Sequence, residues 1–258
     1  MMDFNERVIP DVSSNFSFCE AAARYKFASK YIKNGMKIVD LGSGTGYGMK
    51  ILNNKQCKKV GLDISQDAIS FAKNKYGKYA SFYKRSVINT KLKNEEFDIA
   101  CSFEVIEHLK NPRGLLKEVV RILKKDSVFI LSTPNAKISS PNGKFNSPYH
   151  EVEFSYNALN ELLRSEFGKV KIYGQFHSVR AKKAWKDFLL SQKTREGFVK
   201  TDRFGLRKLF PKEFKEKIWK YMGNLYGRKS QENLSISDFP IRNKNVKMAN
   251  YFIAICEK

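Results

Sequence analysis

The chain reads Phe97-Asp98-Ile99-Ala100-Cys101-Ser102-Phe103-Glu104-Val105-Ile106-Glu107-His108-Leu109 near its middle. Glu104, Glu107 and His108 stand at i, i+3 and i+4, which on a helix is one face. A second imidazole, His150, follows Asn146-Ser147-Pro148-Tyr149. Imidazole titrates near neutrality, so His108 and His150 are candidates to take a proton from a reacting hydroxyl, with Glu104 beside them. The same set, Glu104, Glu107, His108 and His150, offers two carboxylates and two imidazoles. That mixture suits a divalent metal with oxygen and nitrogen preference. Each histidine also has a plainer reading, in which it only hydrogen-bonds a neighbouring loop. The remaining histidine, His177, matches no motif.

Such groups need a scaffold, and the strongest positional signal lies upstream. Val39-Asp40-Leu41-Gly42-Ser43-Gly44-Thr45-Gly46-Tyr47-Gly48 is a short apolar run ending in an acid, then four alternate glycines. Met49-Lys50-Ile51-Leu52 behind it reads as helix. Strand, glycine turn and helix form the layout of a nucleotide-binding βα unit, in which glycines let a ligand approach the backbone and the helix N-terminus offers N–H groups. A dinucleotide fingerprint needs a third glycine where this chain has Tyr47. Val60-Gly61-Leu62-Asp63 then ends a second strand in an acid. An acid about 20 residues past the glycines hydrogen-bonds ribose hydroxyls in such units. Ile64 would flank the adenine.

The elements alternate. Strands are predicted at 37–41, 58–63, 80–84, 97–102, 127–132 and 169–174, with helices at 46–54, 66–75, 112–124 and 155–167. A final strand is carried by Tyr251-Phe252-Ile253-Ala254-Ile255. The alternation predicts an α/β fold: a seven-stranded, mostly parallel sheet with helices on both faces. Residues 1–35 form an N-terminal helical cap, with Phe18, Ala21, Ala22, Tyr25, Ala28 and Ile32 at helical spacing. Residues 36–258 form the main domain. Between about 176 and 247 the alternation breaks into a basic helical insertion before the last strand. There Pro211 starts a helix with Phe214, Ile218, Met222 and Leu225 on one face.

Composition bounds the rest. A chain of 258 residues with 42% hydrophobic content folds around a sizeable core. No apolar run approaches the roughly 18 residues of a membrane span. The opening residues lack the apolar core of a signal peptide, so the expected compartment is the cytoplasm. The four cysteines, Cys19, Cys57, Cys101 and Cys256, are scattered and read as reduced packing residues. A net charge of +22 suits a polyanionic partner such as RNA, or peripheral contact with an acidic membrane; it equally suits general lysine usage.

Taken with Leu131-Ser132-Thr133-Pro134-Asn135, these segments resemble class I methyltransferases that use S-adenosylmethionine (SAM), of the group that includes the ubiquinone-pathway O-methyltransferases. Acid-x-Gly-x-Gly-x-Gly resembles their motif I. Glu6-Arg7-Val8-Ile9-Pro10, Ala23-Arg24-Tyr25 and Asn146-Ser147-Pro148-Tyr149-His150 resemble a bacterial branch taken to modify sugars and other small molecules. The resemblance implies a Rossmann-like fold and SAM as cofactor. It implies that Gly42, Ser43, Gly44 and Gly46 border the methionine and ribose portions. Asp40 orders the turn or reaches the amino group through water. Asp63 holds the ribose. Ser86 and Val87 lie by the adenine, with serine where the group often has aspartate. Ser102 and Phe103 lie by the methionine moiety, and Arg24 and Tyr25 close over the site. The implied reaction is O-methylation of a small molecule or a glycan hydroxyl. Glu104, Glu107, His108, His150 and the Ser-Thr-Pro-Asn segment also resemble the metal-dependent small-RNA 2′-O-methyltransferases, which keeps RNA open as acceptor. A third reading is a non-catalytic SAM-fold protein binding an anionic partner through the basic insertion.

Overall fold

In the computed structural model, residues 7–10, 13–52, 56–145, 147–187, 189 and 233–258 are described. The first strand, β1 (Lys37–Leu41), is buried at every position after its first residue. That is the signature of a strand covered on both faces. β2 (Lys58–Asp63), β3 (Ser81–Lys84), β4 (Phe97–Phe103) and β5 (Leu123–Pro134) join it in parallel. β6 (Lys169–Gln175), β7 (Ile241–Arg242) and β8 (Tyr251–Glu257) complete one sheet. Its order is β3-β2-β1-β4-β5-β8-β6-β7, and β8 runs antiparallel to both neighbours.

Alternate residues of the strands face two cores. Ile38 joins Tyr25 of α1 (Asn15–Ala28), Met49 of α2 (Tyr47–Ile51) and Ile69 of α3 (Gln66–Tyr76). Val39 joins Leu116 and Val119 of α4 (Pro112–Ile122) and Leu159 of α6 (Tyr156–Arg164) on the other face. Between them in the chain lies the short α5 (Ala136–Ser139). The helix starts are written in the sequence. Ser14, Ser65, Asn111 and Ser155 each accept a backbone N–H of the first turn, and Pro112 opens α4.

The sheet differs from expectation in three respects. It has eight strands, because Ile241–Arg242 returns to pair with Gly174 and Gln175. A two-residue pairing leaves no periodic signal, and it falls inside the stretch predicted as helical insertion. Of that stretch, residues 179–187 are helical and Ile236–Asp238 form a 3₁₀ turn. The helix predicted from Pro211 lies outside the described residues. Finally, α4 stops at Ile122, and β5 begins at once at Leu123, where the backbone turns extended. Among the described residues no helix is long and apolar enough to cross a membrane.

Chain order reverses about β1: β2 and β3 lie to one side, β4 and β5 to the other. In open α/β sheets the crevice outside the carboxyl ends of strands at such a switch point is where ligands bind.

Candidate active site

A cavity of about 550 Å³ opens at that point. The glycine turn forms its floor. Gly42, Gly44 and Gly46 all have positive φ (82°, 51° and 81°), which glycine adopts without strain. A Cβ on Gly42 would lie 2.4 Å from Val105 Cγ2, and one on Gly46 2.8 Å from Ala72 Cβ and the Phe82 ring. The N–H groups of Gly42 and Ser43 donate to Leu62 O, that of Gly46 to Ser43 O, and that of Gly44 to Asp63 Oδ2. The turn therefore spends these four donors within the fold, unlike those of a phosphate-gripping loop.

Asp63 ends β2 at the rim. Its carboxylate accepts from Gly44 N, from Ser65 N at 2.8 Å and from Arg7 Nη2 at 3.1 Å. Arg7 thus reaches across the cavity mouth, and Thr45 Oγ1 donates to Val8 O at 2.8 Å. Ile64, beyond Asp63, is 68% exposed, and Ser86 and Val87 line the same cavity.

Arg24, Tyr25, Ser43 and Phe103 line the deeper wall. Asp40, Gly46 and Ser102 do not line the cavity. Asp40 lies beneath the turn, fully buried, where Tyr25 Oη donates to it at 2.9 Å. Burial pushes its carboxyl up to about 7. Ser102 Oγ donates to Leu41 O and ties β4 to β1. These three residues shape the turn from behind.

At the other end the chain leaves β4 through Glu104, whose φ is 54°. A non-glycine residue in that region is strained and is held by its surroundings. Ser132 does the holding: its Oγ donates to Glu104 Oε1 at 2.6 Å, and Glu104 N donates back to Ser132 O at 3.2 Å. Ile106–His108 then form a 3₁₀ turn. The single helical face expected for Glu104, Glu107 and His108 is therefore absent. Glu104 faces Arg24, 3.7 Å away, while Glu107 turns inward to Thr133 Oγ1 at 3.1 Å. Burial raises the carboxyls of both.

His108 lines the cavity beside Glu104. Its Nδ1 lies 3.0 Å from Tyr149 O. A carbonyl only accepts, so Nδ1 donates the proton in this contact. His150 repeats the arrangement, with Nδ1 2.7 Å from Glu153 Oε1. The ligand atoms of Glu107, His108 and His150 lie within 4.8 Å of one another, and Glu107 Oε1 is buried without a hydrogen-bond partner. Glu104 is not in that group, which corrects the expected set of four to three. Sequence reasoning had no role for Arg7, Thr45 or Tyr149 in the site. Arg7 stood in a quoted motif, but its partner Asp63 is 56 residues away.

A parallel-sheet α/β domain with a glycine turn after β1, an acid ending β2 and a cavity at the switch point is the architecture of the class I SAM-dependent methyltransferases. A solved SAM-dependent methyltransferase of Thermotoga maritima superposes with a TM-score of 0.58, covering 93% of this chain and 89% of that one at 17% identity. One from Archaeoglobus fulgidus gives 0.57 at 20% identity, covering 92% and 93%. At those identities the likeness is one of fold. The family model described as a methyltransferase domain matches residues 14–184, and the chain belongs to that family. It is a SAM-dependent methyltransferase. A Mycolicibacterium smegmatis protein named "Probable S-adenosylmethionine-dependent methyltransferase" is 27% identical over 175 residues, 67% of each chain. A ubiquinone biosynthesis O-methyltransferase of Bradyrhizobium diazoefficiens is 30% identical over 103 residues, 39% of this chain and 41% of the other. An uncharacterised Methanocaldococcus jannaschii protein is 41% identical over 106 residues, and the chain spans 40% of its length.

The cavity fits the cofactor on its own terms. A Cβ at Gly44 would stand in open space, with Arg7 Cδ nearest at 3.9 Å. Two buried polar atoms on its lining residues, Ser43 Oγ and Arg24 Nη2, have no hydrogen-bond partner.

Proposed function

We propose that the chain methylates a hydroxyl of a small molecule or glycan, with His108 as general base. The observation that carries this reading is the placement of His108: a cavity-lining imidazole whose Nδ1 lies 3.0 Å from the Tyr149 carbonyl oxygen. Bound SAM supplies an activated sulfonium methyl. The residues align the partners, exclude water and accept the hydroxyl proton at His108 Nε2. Asp63 holds the ribose, Ile64, Ser86 and Val87 flank the adenine, and Arg24 meets the methionine carboxylate. The test is SAM-dependent formation of S-adenosylhomocysteine with fractionated small metabolites and glycans, using labelled methyl. Label entering no hydroxyl-bearing metabolite or glycan would sink the reading.

A second reading rests on the group Glu107, His108 and His150. Those three residues would hold a divalent metal, with Tyr149 O and Glu153 orienting the two imidazoles. The orphaned Glu107 Oε1 fits a cation. Held by a metal, His108 Nε2 is no longer a base, so the two roles exclude each other. This reading brings RNA in as acceptor, in keeping with the net charge of +22. Full activity in excess chelator would remove it. Metal-dependent 2′-O-methylation of RNA would displace the first reading.

A further inference from the structure

Behind Arg24 lies a buried polar cluster that methyl transfer leaves unused. Glu20, one helical turn before Arg24, is held on both carboxylate oxygens: His177 Nε2 lies 2.5 Å from Oε1, and Tyr251 Oη donates to Oε2 at 3.1 Å. The His177 ring is wedged between Phe16 and Phe239, with centroids at 5.1 and 5.6 Å. Gln175, fully buried, accepts from Arg24 Nε at 2.9 Å and donates to the Glu20 carbonyl at 2.8 Å. The Arg24 guanidinium carbon lies 4.3 Å from the centre of the Tyr251 ring.

The distances around Arg24 Nη2 are the informative ones. It is 3.9 Å from Glu20 Oε2 and 3.7 Å from Glu104 Oε2, and it hydrogen-bonds neither. Two carboxylates at similar distances draw on one guanidinium nitrogen. Remove one, and the other captures the guanidinium at hydrogen-bond distance, because a buried charge does not stay unpaired.

We propose that Glu20, pinned by His177, is a positioning residue: a counterweight that keeps Arg24 from closing onto Glu104 and so leaves a guanidinium N–H for the carboxylate of the bound cofactor. This rests on the reading that Arg24 meets that carboxylate. His177 thereby links the cofactor wall to the residues flanking the basic segment, since the Phe239 that packs on it precedes β7.

The test is calorimetric binding of two probes to the full chain. S-adenosylhomocysteine carries the amino-acid carboxylate; 5′-methylthioadenosine shares the nucleoside thioether and lacks it. Glu20→Gln is expected to weaken the first probe about tenfold and the second by less than about twofold. His177→Asn is expected to show the same selectivity at about threefold. Adding Glu104→Gln to Glu20→Gln removes the competing carboxylate and restores discrimination. Equal losses for both probes, or no loss, overturn the counterweight. The underlying reading fails separately: it falls if Arg24→Leu weakens both probes alike, or if the unmutated chain binds neither.

Discussion

The two ends of the cavity are built on opposite plans. At the cofactor end, the glycine turn and Asp63 bond to each other: Gly42, Ser43 and Gly46 donate to main-chain oxygens and Gly44 to the Asp63 carboxylate. At the acceptor end, Glu104 in a left-handed conformation and His108 line the cavity, and behind them, off the lining, stand Glu107 with an orphaned carboxylate oxygen and His150, its ring 5.0 Å from that of His108. The first end is a mould whose backbone is held by its own hydrogen bonds, with Ser43 Oγ and Arg24 Nη2 left over at its wall. The second is built from titratable side chains on a strained backbone, the features that mark chemistry rather than shape. Substitutions at the two ends should therefore fail differently, in affinity at the first and in turnover at the second.

The largest expected effect is at the acceptor end. His108→Ala should lower kcat by about 10²–10⁴-fold while S-adenosylhomocysteine affinity moves less than about twofold. Rapid-quench turnover and calorimetry on one preparation check both halves. A matching loss of affinity would erase the distinction between the ends.

Asp63→Ala tests the mould. It removes the acceptor for Gly44 N, Ser65 N and Arg7 as well as the proposed ribose partner. Cofactor affinity should fall about 10–100-fold, with kcat at saturation within about threefold of the parent. Saturation kinetics in SAM read both. A kcat collapse with KM unchanged would show that the cofactor end takes part in chemistry.

Asp40 sharpens the contrast through pH. Its carboxyl is pushed up from 3.8 to about 7 by burial, although Tyr25 donates to it. Between pH 4 and 7 the folded chain holds a proton that the unfolded chain has lost, so stability falls as pH rises through that window. Asp40→Asn removes the buried charge and should be more stable than the parent by about 1–2 kcal/mol at pH 8, with no gain at pH 4. Urea unfolding at both pH values decides. Equal destabilisation at both would mean that the charged form is the one the fold requires.

The cofactor end was largely legible in the sequence, and for a physical reason. Strand, glycine turn and strand-end acid are local patterns, set by hydrophobic periodicity and by the positive φ that Gly42, Gly44 and Gly46 accept. The acceptor end was legible only as a residue set. Spacing at i, i+3 and i+4 suggested a helix, but a left-handed Glu104 followed by a 3₁₀ turn sends Glu104 and Glu107 to different partners. Long-range pairs were out of reach for the same reason: Arg7 with Asp63, and Glu20 with His177 at 157 residues' separation, are products of topology. His177, motifless in the sequence, gains its setting only when β6 and β8 bring it to α1.

The smallest expected effect concerns how the adenine wall is anchored. Ser86 opens a turn of the loop, in which Asn89 N donates back to Ser86 O, and Val87 packs into the core. Glu118 of α4 holds that loop, accepting from Thr90 N at 2.8 Å and from Thr90 Oγ1 at 2.5 Å while Arg121 pairs with it at 2.6 Å. These bonds pull its carboxyl down from 4.5 to about 2. The stability they confer is present above pH 4.5 and is lost as pH falls toward 2, because the unfolded chain takes up the proton first. Glu118→Gln should cost about 1 kcal/mol at pH 7 and progressively less below pH 4. It should weaken the cofactor about twofold and leave kcat alone, since a loosened wall reorders on binding at a small entropic cost. Unfolding by urea across that pH range, with calorimetry at pH 7, measures both. A constant stability gap down to pH 3 would mean that the Thr90 contact is steric rather than ionic, and the mould would then owe its shape to packing alone.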